Sequence, residues 1–97
     1  MREYEVTIII QPKLEEEARN ELIERVTSWL TVGEAEADKP VVHLWGERRL
    51  AYPILKHDTG YYVFYEAKLN PDGIKDIERN MLYNEDIIRF LFIRKEQ

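Results

Sequence analysis

The apolar residues of this chain alternate between a period of two and a period near 3.6, and the order of those switches limits the folds open to it. From Arg2 to Ile10, Tyr4, Val6, Ile8 and Ile10 fall on one side, with Glu5, Thr7 and Ile9 on the other. That alternation is a strand, and the run Ile8-Ile9-Ile10, apolar on both sides, suits a central one. Gln11-Pro12-Lys13 breaks it. Leu14, Ala18, Leu22, Val26 and Leu30 then recur every four residues, with Ile23 and Trp29 beside them, so a helix is expected over 14–30. Glu15, Glu16 and Glu17 sit in its first turn, where carboxylates suit the helix dipole. Gly33 is a plausible stop.

A long run from Glu34 to Tyr52 returns to strand character. It is interrupted at Lys39-Pro40, and a proline there implies a sheet edge or a bulge. Lys56 to Gly60 is turn material. Tyr61 to Leu69 is the returning strand of a hairpin, rich in aromatics. Asn70 and Pro71 read as N-cap and first residue of a second helix reaching about Tyr83, with Ile74, Ile77, Met81 and Leu82 inward. Ile87 to Arg94 is a last strand.

The order is therefore β-α-β-β-α-β, an α+β chain of the ferredoxin-like kind: a four-stranded antiparallel sheet with two helices on one face. Right-handed crossovers place the first and third strands in the centre, the second and fourth at the edges. With 97 residues, 44% of them hydrophobic, one domain and one core are expected. The hairpin of the second and third strands is expected to project beyond the body.

There is no cysteine, so no disulfide or thiolate chemistry is available. No apolar run approaches a membrane span, and the start Met-Arg-Glu-Tyr lacks the apolar stretch of an export signal. Catalysis finds little support. His43 lies in an apolar strand and His57 in a turn beside Asp58. Ser28 is the sole serine and has no nucleophile-elbow glycines around it. No phosphate-cradling glycine loop, paired-histidine metal spacing or cofactor motif is present. The chain is expected to be no enzyme, with no cofactor and no metal.

The net charge of -5 argues against a nucleic-acid binder taken globally. Its distribution argues differently. Residues 13–40 sum to -4 and 71–86 to -3, while 41–57 and 87–97 are each +2. Acid collects on the helices and base at the strand ends, which leaves one surface able to meet RNA. The basic focus is Gly46-Glu47-Arg48-Arg49-Leu50-Ala51-Tyr52-Pro53-Ile54-Leu55-Lys56. Its arginines can grip phosphate through two N–H groups at once, and Tyr52 offers a ring to a base. The stretch Thr59-Gly60-Tyr61-Tyr62-Val63-Phe64-Tyr65 loosely echoes the RNA recognition motif, but its aromatics read first as strand formers. A small-molecule-binding or protein-interaction module of the same fold stays open as the alternative.

The run Gly46-x-Arg48-Arg49-Leu50-Ala51-Tyr52-Pro53-Ile54-x-Lys56, followed by Gly60-Tyr61-Tyr62, resembles the signature of the S-six family of bacterial small-subunit ribosomal proteins, and Met1-Arg2-Glu3-Tyr4-Glu5 resembles that family's opening. The resemblance implies a structural component of the small ribosomal subunit. It would bind the central domain of small-subunit rRNA as a heterodimer with the S-eighteen ribosomal protein, in the cytoplasm of a bacterium, an organellar ribosome remaining open. It also implies an RNA contact set of Arg2, Tyr4, Arg48, Arg49, Tyr52, Lys56 and Arg89. Of these, Arg2, Lys56 and Arg89 would meet phosphate, and recognition would be mainly of rRNA shape. Glu3 stands where a basic or neutral residue is frequent, which weakens the N-terminal contact. The apolar positions near Leu44 and Trp45 are candidates for the partner's seat.

Overall fold

In a computed structural model, which describes residues 2–33, 35 and 38–95, the elements follow the order read from the periodicities. They are β1 (Arg2–Ile10), α1 (Glu16–Trp29), β2 (Val41–Ile54), β3 (His57–Leu69), α2 (Ile74–Leu82) and β4 (Ile87–Arg94). The sheet order is β2-β3-β1-β4, all neighbours antiparallel, so β1 and β3 are central. Tyr4, Val6, Ile8 and Ile10 of β1 meet Val63, Tyr65, Ala67 and Leu69 of β3 in one core. Leu22, Ile23, Val26 and Leu30 close it from α1 and its end, and Met81 from α2. Tyr65 is fully buried, and its hydroxyl donates to the Ile23 carbonyl at 3.1 Å. A buried phenol needs such a partner. Glu3, Glu5, Thr7 and Ile9 point to the opposite, open face of the sheet.

Several details depart from the expected pattern. Helix α1 begins two residues later than expected, with Glu15 at the N-cap, and Leu14 packs against the core from outside it. It ends at Trp29 with Leu30 as C-cap, so Gly33 is not its stop. Asn70 does cap: its side-chain oxygen accepts from the Asp72 amide at 3.0 Å. The first turn, Pro71–Gly73, is a 3-10 turn before α2 proper. Leu82 is 72% exposed rather than inward. It lies one residue past Met81, a rotation of roughly 100° on a helix, which carries it off the stripe. Strand β2 starts at Val41, directly after Pro40, which has no N–H for a ladder. Of the segment before it, Glu34, Glu36 and Ala37 lie outside the described residues. Ala35 and Asp38–Pro40 form a loop in which the Asp38 carboxylate accepts from the Ala35 amide at 3.1 Å.

The largest departure is at the hairpin. Its turn is only Leu55-Lys56, both at positive φ (49° and 70°), with Ile54 paired to His57. Two-residue turns of this hand match the right-handed twist of the strands. Strand β3 outruns β1 there, as expected. The end of β2 does not project freely, however. The ladder lapses between Arg49 and Ile54, Leu50 is only 7% exposed, and residues 50–54 close over the open face of the sheet. Burial of Leu50 beside Ile9 and Tyr62 outweighs continued pairing at an edge where Pro53 could donate no ladder bond.

Candidate nucleic-acid interface

The register places the open-face residues in rows. One row is Arg89, Ile9, Tyr62 and Gly46; the next is Leu91, Thr7, Phe64 and His43; the next is Ile93, Glu5, Glu66 and Val41. The hairpin end of this face is basic and the opposite end carries the acids. There His43 Nε2 donates to Glu66 Oε2 at 2.9 Å, since a carboxylate can only accept, and Lys95 Nζ lies 3.9 Å from Glu66 Oε1. The hydrogen bond from His43, followed by the charges of His43 and Lys95, holds the Glu66 carboxyl below its usual range.

Consecutive in a strand, Arg48 and Arg49 face opposite sides, and a bulge before them decides which takes the open face. Leu44 pairs with Val63 and Gly46 with Tyr62, so Trp45 is an extra residue in β2. Gly46 adopts φ 83°, a left-handed conformation that favours glycine. Strict alternation would have put 43, 45, 47 and 49 on one face. After the bulge, Arg48 opposes Gly60 and shares the open face, while Arg49 opposes Thr59 on the helix side. Glu47 also turns to the helix side, where the Thr59 hydroxyl donates to it at 3.2 Å. Gly60 gives Arg48 a flat partner, and a Cβ there would collide with the Ile9 side chain.

The open face thus carries a layered group that motif reading missed. The rings of Trp45 and Phe64 stack with centroids 5.0 Å apart and planes 6° from parallel. The Arg48 guanidinium lies 5.2 Å from the Trp45 centroid. Gly46 inside an apolar strand was the one available signal, because a glycine there marks a bulge. On the helix side, Arg19 of α1 lies 4.1 Å over the Tyr61 ring, another cation that spacing alone did not mark.

Arg89 and Tyr52 meet although β4 and β2 are opposite edges of the sheet. The closed hairpin end brings the Tyr52 hydroxyl to 2.6 Å from Arg89 Nη1, which donates to it. A cleft of about 200 Å³ runs between them, floored by Thr7, Ile9 and Tyr62. The Tyr52 ring, 57% exposed, therefore also positions a guanidinium. Among the described residues no carboxylate pairs with Arg48, Arg49 or Arg89. Lys56 is exposed at the turn. Arg48, Tyr52, Lys56 and Arg89 share the hairpin end, with Arg49 on its reverse side.

Arg2 and Tyr4 do not join them. Arg2 pairs with Leu69 at the far end of β1, eight residues from Ile10, or roughly 26 Å at about 3.3 Å per residue. Tyr4 is 8% exposed and faces the helices within the core, so its ring packs and is not presented to a ligand.

Known proteins match this chain along nearly all of its length. The family model described as ribosomal protein S6 matches residues 3–94. A small ribosomal subunit protein bS6 from Halalkalibacterium halodurans is 43% identical over 97 residues, covering all of both chains. The protein of the same name from Moorella thermoacetica is 37% identical, over all of this chain and 97% of that one. Among solved structures, the 30S ribosomal protein S6 of Thermotoga maritima superposes with a TM-score of 0.84 at 30% identity, over 97% of this chain and 87% of that one. The family match over residues 3–94, relatives matched from end to end and a solved structure with the same fold lead to one conclusion: this chain belongs to the ribosomal protein S6 family.

Proposed function

We propose that the protein is a structural constituent of the small ribosomal subunit that binds the central domain of small-subunit rRNA as a heterodimer with the S-eighteen ribosomal protein. The observation that carries this is the hairpin end of the open face. There Arg48 and Arg89 stand without carboxylate partners among the described residues, with Lys56 at the turn of the same hairpin, in a protein whose net charge is -5. Arg48, Arg49, Lys56 and Arg89 neutralise phosphate, and Tyr52 holds Arg89 in place through its hydroxyl. Arg2 supplies a separate contact at the far end of the sheet, with Tyr4 anchoring β1 beneath it. Recognition is of rRNA shape and backbone rather than of a long base sequence.

So few cations on an acidic body give weak binding alone, and a basic partner supplies the missing charge. Exposed apolar side chains of the open face, Leu91 (52%) and Ile93 (48%), offer that partner surface to cover, near the acids Glu5 and Glu66, while Leu44 (56%) is exposed on the helix side of the β2 edge. The test is binding to a central-domain rRNA fragment with and without the S-eighteen protein across a salt series. Cooperative binding that weakens as salt rises is expected. Tight binding by the isolated chain at physiological salt would refute the need for a partner, and no binding in either arm would refute the RNA reading.

A further inference from the structure

We propose that the Arg48–Trp45–Phe64 column on the open sheet face is a stacking site for one unpaired RNA base. This rests on the RNA-binding reading above and adds a base-contacting subsite to what is otherwise a set of backbone contacts.

The column is built by the bulge. Had β2 run in strict alternation, position 47 would follow position 45 on the open face, and a carboxylate, Glu47, would lie beside the indole. The extra residue at Trp45 and the left-handed Gly46 put Arg48 there instead and turn Glu47 away to Thr59. The strand gives up ladder pairing and in exchange replaces an anion beside the ring by a cation. That exchange suits an anionic ligand with an aromatic face. Phe64 stacks near-parallel with Trp45, and the Arg48 guanidinium carbon lies over the indole, 5.2 Å from its centroid. Trp45 stays 44% exposed, so the column ends in solvent rather than in the core.

The ligand class follows from the chemistry of that end. A guanidinium lying on an indole has a second planar side, and bases stack on arginine planes as they do on aromatic rings. No carboxylate occupies the N–H edge of Arg48 among the described residues, so the same group can also reach a phosphate oxygen. The column stands at the basic end of the face, toward Arg89 and Lys56. The acids Glu5 and Glu66 lie in a row farther from the hairpin. A nucleotide splayed from a loop or junction presents a base to the column and its phosphate to the arginines. A base locked in a duplex cannot.

The experiment uses the full chain carrying Trp29→Phe, so that Trp45 is the only tryptophan. Its emission is followed while a central-domain rRNA fragment is added with the S-eighteen protein present, then while a single-stranded purine oligonucleotide and a duplex of equal length are added to the chain alone. Quenching is expected with the rRNA fragment and the single strand, and not with the duplex. Trp45→Ala should weaken rRNA binding about tenfold, Trp45→Phe should recover most of that loss, and circular dichroism should show both folded. Equal rRNA binding by Trp45→Ala, without quenching in the parent, overturns the subsite and leaves the RNA reading standing. A loss confined to binding of the S-eighteen protein, measured without RNA, also overturns it and assigns Trp45 to the protein interface. No rRNA binding in any arm overturns both readings.

Discussion

Single residues here take roles that their types alone do not assign. Among the tyrosines, Tyr4 and Tyr65 pack the core, Tyr61 lies beneath Arg19, and Tyr52 holds Arg89. Tyr65 carries a measurable consequence. Burial, only partly offset by hydrogen bonding, raises its hydroxyl from 10.0 to about 12. The folded state therefore keeps a proton that the unfolded chain loses first. The stability linked to Tyr65 is complete below pH 10.0 and is lost as pH rises through about 12. The size is about 2–3 kcal/mol, from 1.36 kcal/mol per pKa unit. Urea unfolding between neutral pH and strong alkali should show this decline. Tyr65→Phe should remove most of it, at a cost near neutrality of about 1 kcal/mol for the lost hydrogen bond. An unchanged alkaline slope in Tyr65→Phe would assign the effect to other groups.

At the scale of elements, the hairpin trades stability for function. Neither Leu55 nor Lys56 suits positive φ, which asparagine and glycine accept readily. Lys56→Gly should therefore stabilise the fold by about 1 kcal/mol in thermal or denaturant unfolding. It should also weaken rRNA assembly, because it removes a cation from the tip. Gain of stability with unchanged assembly would show that Lys56 is a turn residue only. The sequence made two strands and an edge strand carrying a proline legible, but the turn expected over Lys56 to Gly60 is Leu55-Lys56, and His57 to Gly60 belong to β3. It did not show where the turn lies, because no Asn-Gly or Asp-Gly marks it. Nor did it show the closure over the sheet, because the burial of Leu50 depends on side chains from other strands. The helices were easier, since a stripe such as Leu22, Val26 and Leu30 is local. Leu82 was misplaced because apolar character at a helix end does not itself guarantee a facing core.

For the molecule as a whole, charge is sorted by place rather than by amount. The helices carry the acid, the open face grades from acidic to basic, and the cations gather where two sheet edges are brought together. The division of the arginine pair makes this testable. If RNA lies on the open face, Arg48→Ala should reduce the steepness of salt dependence by about one phosphate contact, and Arg49→Ala by less. Equal reductions would mean that RNA wraps the hairpin and is met from both sides.

What the sequence determined by itself was the order of elements, the central and edge strands, the core stripes and the family signature with its cations. Each is written in local spacing or local composition, which survives without knowledge of distant residues. Only the tertiary structure decided which arginine shares a face with Trp45, that Tyr4 packs in the core, and that Tyr52 of one edge strand holds Arg89 of the other. The reason is physical. One inserted residue reverses the facing of everything after it in a strand. The closing of a hairpin over a sheet is set by apolar area contributed from three other strands, which no single stretch of sequence contains.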